Sequence, residues 1–252
     1  MARIGPVWMC DCDRVMADLF AQPPVQSPAP ATRGIATNQW LWDPGETLGV
    51  AFSGGSMGLR RKVAEIAELW PINLHFDWSR PWAEAEIRIE LFGEGSWSYV
   101  GSVARQVAAG KPTMRLGWAQ WAFDAGNMEA LYAVVLHEFG HAIGLRHEHL
   151  HPFNRIKWNL PALRAHYVDQ LGWEWSQVER TYLNVLSLST HDITTYDDES
   201  VMHYPVDERF TLDDFSVGYI SKLSRGDRGI GQRLYPFDEG ELSEVLLPVV
   251  FG

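Results

Sequence analysis

Residues 137–147 read HEFGHAIGLRH. His137 and His141 are four apart, so on a helix they stand one turn apart on the same face. Two imidazoles placed this way can reach one zinc ion at about 2.0–2.1 Å. Glu138 follows the first histidine, close enough to hold a zinc-bound water without taking a ligand position. Gly144 lets the helix stop, because glycine readily takes positive φ. The chain can then turn back and bring His147 to the same metal. Three protein ligands leave one position open for water, which is the arrangement of a catalytic zinc and not of a structural one. The chemistry expected is hydrolysis. The metal lowers the pKa of water to about 7 and polarises a carbonyl, while Glu138 accepts the proton and passes it to a leaving amine.

These residues need a rigid support. A helix over about 127–144 is expected to carry them, with Leu131, Val134, Val135 and Ala142 facing inward. Upstream, a strand over 48–52 runs into the glycine pair Gly54-Gly55. A second long helix, 58–70, follows; its Leu59, Val63, Ile66, Ala67 and Trp70 form one apolar face, and Pro71 ends it. Strands are expected at 72–78, 86–92 and 113–118. In the second of these, Ile87, Ile89 and Leu91 alternate with charged neighbours, as in a half-buried strand. Beyond Gly144 the pattern is irregular, with helical stretches near 160–171 and 173–182. A last helix starts after Ser224, capped by it with Asp227 at the third position, and uses Ile230, Leu234 and Tyr235 as its face. Strands cluster early and helices late, so the fold class expected is α+β rather than alternating βαβ: an N-terminal mixed sheet with two long helices, a more irregular C-terminal half, and a cleft between them.

The formal net charge of -11 argues against nucleic acid, whose phosphates need clustered Lys and Arg. A peptide or protein substrate is the partner expected. No run of about eighteen apolar residues is present, so no transmembrane helix is expected. The start, MARIGPVWMCDCDRVMADLF, has no long apolar stretch and no small-residue cleavage site, so no secretory signal is expected. A cytoplasmic chain and a secreted one trimmed of its leader both fit, and the oligomeric state is left open. Twelve tryptophans read as core and cleft packing. Residues 21–38 are rich in Pro, Ala, Ser and Gln and read as an extended strap. The division expected is an N-terminal extension, 1–38, and a zinc peptidase domain, 39–252. The two cysteines, Cys10 and Cys12, are two residues apart, so a disulfide between them would be strained.

A second segment, SVMHY at 200–204, carries a resemblance. Together with HEFGHAIGLRHEH it is similar to the metzincin metallopeptidases, and specifically to the astacin family. The resemblance implies a methionine turn beneath the zinc, at Met202. It also implies an extra, displaceable tyrosine ligand at Tyr204 that helps bind the transition state. GEGSWSYVG (93–101) resembles an astacin strand segment beside the cleft, Leu41-Trp42 the start of the mature domain, and LSRGDRGIGQRLYP (223–236) the terminal helix. In this family the mature N-terminus is buried near the glutamate after the third histidine, here Glu148. The chain departs from animal astacins where one of their cysteines falls on Ser96, and where LHPFNRIKW (150–158) replaces a charged run.

Thiolates and carboxylates are both good zinc ligands. Cys10, Cys12, Asp11 or Asp13 could therefore occupy the metal in a latent state, with the Pro-rich strap reaching back to the cleft. His149, His151 and His203 match no ligand position and read as surface or supporting histidines; Glu148 reads as a solvated charge or a buried carboxylate behind the ligands. The function expected is that of a zinc-dependent endopeptidase with Glu138 and Tyr204 catalytic and His137, His141, His147 and Tyr204 on the metal. The alternatives are a processing protease with one narrow substrate and a catalytically silent binding protein on the same scaffold.

Overall fold

A computed structural model describes Cys10, Cys12 and residues 40–186 and 195–237. The strap, Asp11 and Asp13 lie outside the described residues. The first strand, β1 (Thr47–Ser53), is the apolar run TLGVAFS. It leads into α1 (Met57–Ala67), capped by Ser56, whose side-chain oxygen accepts from Leu59 N at 3.2 Å. Leu59, Val63, Ile66 and Ala67 are the buried stripe of this helix. The helix stops at Ala67 rather than at Trp70. The residue before Pro71 is excluded from the helical region, and Leu69 and Trp70 close a tighter turn on Ile66 and Ala67. Trp70 still packs inward and donates its indole N–H to Leu136 O at 3.2 Å.

The short strands β2 (His75–Asp77), β3 (Ile87–Glu90), β4 (Ser96–Ser98) and β5 (Met114–Leu116) join β1 in one sheet of order β2-β1-β3-β5-β4. The first four of that order run parallel, and β4 pairs antiparallel to β5 at the edge. The sheet is mixed and the class α+β, as expected, although β1, α1 and β2 form one parallel crossover. One expectation fails at β3, which is buried on both faces. Arg88 is 5% exposed. Its guanidinium donates to the carbonyls of Ala85, Val107 and Lys111, which replace water around the charge.

After α2 (Ala119–Asp124) comes the central helix, α3 (Met128–Ala142), N-capped by Asn127. Leu131, Val135, Leu136 and Phe139 of α3 are buried against α1 and the sheet. The last carbonyls of a helix lack partners within it. Here two side chains far away in sequence supply them: Trp42 Nε1 donates to Ala142 O at 2.7 Å and Tyr235 Oη to Ile143 O at 2.6 Å. Gly144, with φ 103°, then turns the chain back.

The irregular half holds α4 (Leu160–Leu163) and α5 (Trp175–Val178), each running on into π-helical turns, 164–170 and 179–183. Tyr167 and Tyr182 bury themselves from these turns and share a hydrogen bond at 2.7 Å. The last helix, α6 (Arg225–Leu234), starts at Ser224 with the expected capping box. Its buried face is Asp227 and Gly231, with Ile230 and Leu234 only partly covered. The absent Cβ of Gly231 lets the helix approach Ile72 and Trp70. Among the described residues no helix is long and apolar enough to cross a membrane.

Candidate metal centre

The helix α3 places His137 and His141 one turn apart, and the Gly144 turn returns His147 to them. The ring centroids of His137 and His141 are 4.8 Å apart, those of His141 and His147 4.6 Å. The Nε2 atoms of His141 and His147 are separated by 3.0 Å. Two imidazole nitrogens on one tetrahedral zinc at 2.0–2.1 Å would be about 3.3 Å apart. The outer nitrogens are committed elsewhere. His137 Nδ1–H donates to Val201 O, and His141 Nδ1–H to Leu145 O, each at 2.8 Å. Those carbonyls fix the tautomer that leaves each Nε2 with its lone pair. Within 4.8 Å the ligand atoms of His141 and His147 group with those of Cys10 and Cys12, and that of His137 with those of Cys10 and Glu138. Burial among other cationic groups, chiefly desolvation and then His137, holds the pKa of His147 well below the ordinary value. It is thus in the neutral form that a metal requires. The residues present fit zinc.

Glu138 is buried beside the three histidines. Beneath them, Gly140 of α3 rests on Met202: a Cβ at Gly140 would come within 2.2 Å of Met202 Sδ. The turn carrying Met202 is held from the far end of the chain. Asp227 accepts from Ser200 Oγ at 2.6 Å and from Val201 N at 2.9 Å, while also accepting from Ser224 N in its own capping box. The turn in turn fixes Val201 O, and through it His137.

Tyr204 is 4% exposed and its ring lies 4.3 Å from that of His147. His149, which is fully buried, as a supporting and not a surface histidine, stacks on Tyr204 at 4.4 Å and donates from Nε2 to Thr181 O at 2.7 Å. His151 and His203 are also buried, and His203 Nε2 is bonded to Tyr196 Oη at 2.8 Å. Nothing in residue spacing links His149 to Thr181 or Asp227 to Val201, and the carbonyl partners of His137 and His141 carry no side-chain signal. Glu148 accepts from Asp197 N at 2.8 Å, and burial pushes its pKa up to about 8.

A cleft of about 370 Å³ opens from this centre. Ala130, Ala133 and Val134 of α3 line one wall; Pro205, Tyr219 and Ile220 face them. The edge strand β4 borders it, as the GEGSWSYVG segment led one to expect, through Ser96. Cys10 lies in this cleft. It forms an isolated parallel bridge with Ser96, and Tyr204 Oη donates to its carbonyl. Cys12 Sγ accepts from Ser98 N at 3.2 Å. The two cysteines are joined by a disulfide across a Cα–Cα distance of 5.5 Å, which is an ordinary span for such a bond despite the short spacing in sequence. Their sulfurs lie 3.6 and 3.4 Å from Glu138 Oε2. A disulfide carries no S–H, so these are contacts and not hydrogen bonds.

Fold and centre together define a metzincin: a mixed sheet over a central helix with two histidines, a glycine turn to a third, and a methionine turn below. A solved structure of myroilysin matches the chain with a TM-score of 0.73 and 31% identity, over 79% of this chain and 97% of that one. The chain belongs to the astacin-like metzincins, a family of zinc metallopeptidases. A second, crystal structure of myroilysin matches at TM-score 0.58 and 31% identity, over 79% of this chain and 86% of its own. High choriolytic enzyme 1, a hatching enzyme zinc-protease from the medaka fish Oryzias latipes, shares the fold at TM-score 0.52 and 15% identity, over 84% and 100% of the two chains. No family model matches the chain, and no curated protein does.

Proposed function

We propose that this chain is a zinc-dependent endopeptidase with Glu138 as general base and Tyr204 as an oxyanion donor, held latent by the Cys10–Cys12 segment. The observation that carries the reading is the approach of His141 and His147 Nε2 to 3.0 Å, with the His137 ring 4.8 and 5.3 Å from theirs and Glu138 buried alongside, the outer nitrogens of His137 and His141 being tied to carbonyls. Zinc bound there supplies a Lewis acid that polarises the scissile carbonyl and acidifies water. His137, His141 and His147 would hold it. Glu138 takes a proton from water at its Oε atoms and returns it to the leaving amine. Tyr204 Oη already donates to a peptide carbonyl in the cleft, that of Cys10, and would do the same for the developing oxyanion. An extended peptide adds to the β4 edge and so presents its carbonyls to this group. In the full chain Cys10 and Cys12 cover Glu138 and keep water from it.

The test is direct. The zinc-loaded full chain and a chain beginning near residue 36 are incubated with a mixed peptide library, and cleavage sites are read by mass spectrometry. Cleavage by the shorter chain, weak cleavage by the longer, and none by Glu138→Ala are expected. Cleavage that survives Glu138→Ala would defeat the mechanism, and equal activity of the two chains would defeat the latency.

A further inference from the structure

A donor to an oxyanion acts only where its proton already points at the place where charge develops. The Tyr204 hydroxyl stands at the end of a long side chain, so a small rotation of the ring displaces it far. The main chain of Tyr204 is held, its carbonyl accepting from His203 Nδ1 at 2.6 Å. The attitude of the ring is then set by what packs on it. His147 approaches at 4.3 Å but tilted by 57°. His149 lies 4.4 Å away and nearly parallel, at 20°. Two flat rings stacked in this way resist tilting but let one slide across the other.

The imidazole of His149 is itself fixed. It is fully buried. Its edge donates from Nε2 to Thr181 O at 2.7 Å, and Thr181 belongs to the π-turn 179–183, where Tyr182 is tied to Tyr167. The residue before it, Glu148, donates its N–H to Met202 O at 3.0 Å. His149 thus spans from the methionine turn to the irregular half. Its chemistry suits the place. Glutamine would keep an edge donor and lose the flat face, while phenylalanine would keep the face and lose the donor.

We propose that His149 is a positioning residue for the Tyr204 hydroxyl. Its imidazole face sets the plane in which the tyrosine ring moves, and the bond to Thr181 O sets the plane of the imidazole. The proposal rests on the reading of Tyr204 as oxyanion donor given above. His149 is not itself a catalytic group, because its face lies on Tyr204 and its edge on Thr181. The ring of His147, 5.3 Å from it and tilted by 37°, would carry an effect on the metal instead, and zinc content separates the two routes.

The experiment measures kcat, KM, bound zinc and thermal midpoint for zinc-loaded wild type, His149→Ala, His149→Gln, His149→Phe, Tyr204→Phe and the His149→Ala/Tyr204→Phe double variant. Both the full chain and the chain beginning near residue 36 are used; every residue of the main core lies between Trp42 and Tyr235, inside the shorter one. In the shorter chain His149→Ala and His149→Gln are expected to lower kcat about tenfold, with KM within about twofold and zinc unchanged, whereas His149→Phe stays within about threefold of wild type. In the Tyr204→Phe background, His149→Ala is expected to change kcat by less than about twofold in either chain. An equal fall in both backgrounds would overturn the proposal, since the effect would bypass the hydroxyl. So would wild-type kcat in His149→Gln, or zinc lost in step with kcat. If His149→Ala does not fold, His149→Gln carries the same cycle. A fully active Tyr204→Phe defeats the reading of Tyr204 and the proposal with it, whereas additivity alone defeats the proposal and leaves that reading standing.

Discussion

Replacing Gly140 by alanine should destabilise the chain, although alanine is the better helix former. Gly140 lies in the interior of α3, where Gly→Ala is intrinsically worth about 1 kcal/mol in favour of alanine. Against this, the new Cβ would lie 2.2 Å from Met202 Sδ and 3.1 Å from Trp70 Cζ2. Met202 and Trp70 are 2% and 3% exposed, and Trp70 is tied to Leu136 O, so neither yields freely. Overpacking of this kind costs about 1–3 kcal/mol. The net expectation is a loss of up to about 2 kcal/mol, or several degrees in Tm for a domain of this size. In a Met202→Ala background the closest obstruction is gone and only Trp70 Cζ2 at 3.1 Å remains, so the same Gly140→Ala change should cost much less, or stabilise by up to about 1 kcal/mol. Urea unfolding of the metal-free wild type, both single variants and the double variant closes the cycle. A Gly140→Ala effect of the same sign and size in both backgrounds would refute the idea that α3 is pressed against the methionine turn.

Other outcomes follow from the centre itself. Glu138→Gln should lower kcat of the activated enzyme on the order of 10³-fold while leaving bound zinc unchanged, as kinetics and metal analysis would show. Tyr204→Phe should lower kcat by about 10²-fold with little change in KM, since the hydroxyl donates to a peptide carbonyl in the cleft. Glu148 gives a pH dependence. Its folded pKa of about 8 exceeds the ordinary carboxyl value of 4.5, so between these the folded chain binds more protons and stability falls as pH rises. Chemical denaturation of the metal-free protein across that window should show the decline, and Glu148→Gln should flatten it.

The parts legible in sequence were those encoded locally. The apolar stripes of α1 and α3, the Ser224–Asp227 box and the HEFGHAIGLRH spacing each lie within a few residues, where helical geometry dictates who faces whom. The parts that escaped are set by partners far along the chain. Arg88 alternates like a solvent-facing residue, yet parallel pairing on both sides of β3 buries it among carbonyls. His149 reads equally as a surface or a supporting residue until the π-turn at 179–183 folds Thr181 over it. Asp227 was visible as a cap, whereas its bonds to Ser200 and Val201 reach 27 and 26 residues back.

That last connection orders the birth of the centre in time. During synthesis His137, His141 and His147 emerge long before α6. The carbonyl that orients His137 belongs to Val201, and Val201 is held by Asp227. Tyr235, which caps the end of the histidine helix, emerges later still. A nascent chain that has exposed its three histidines therefore still lacks the part that aims His137. The support of His137 and the cap of the histidine helix are thus complete only after α6 and Tyr235 have been made.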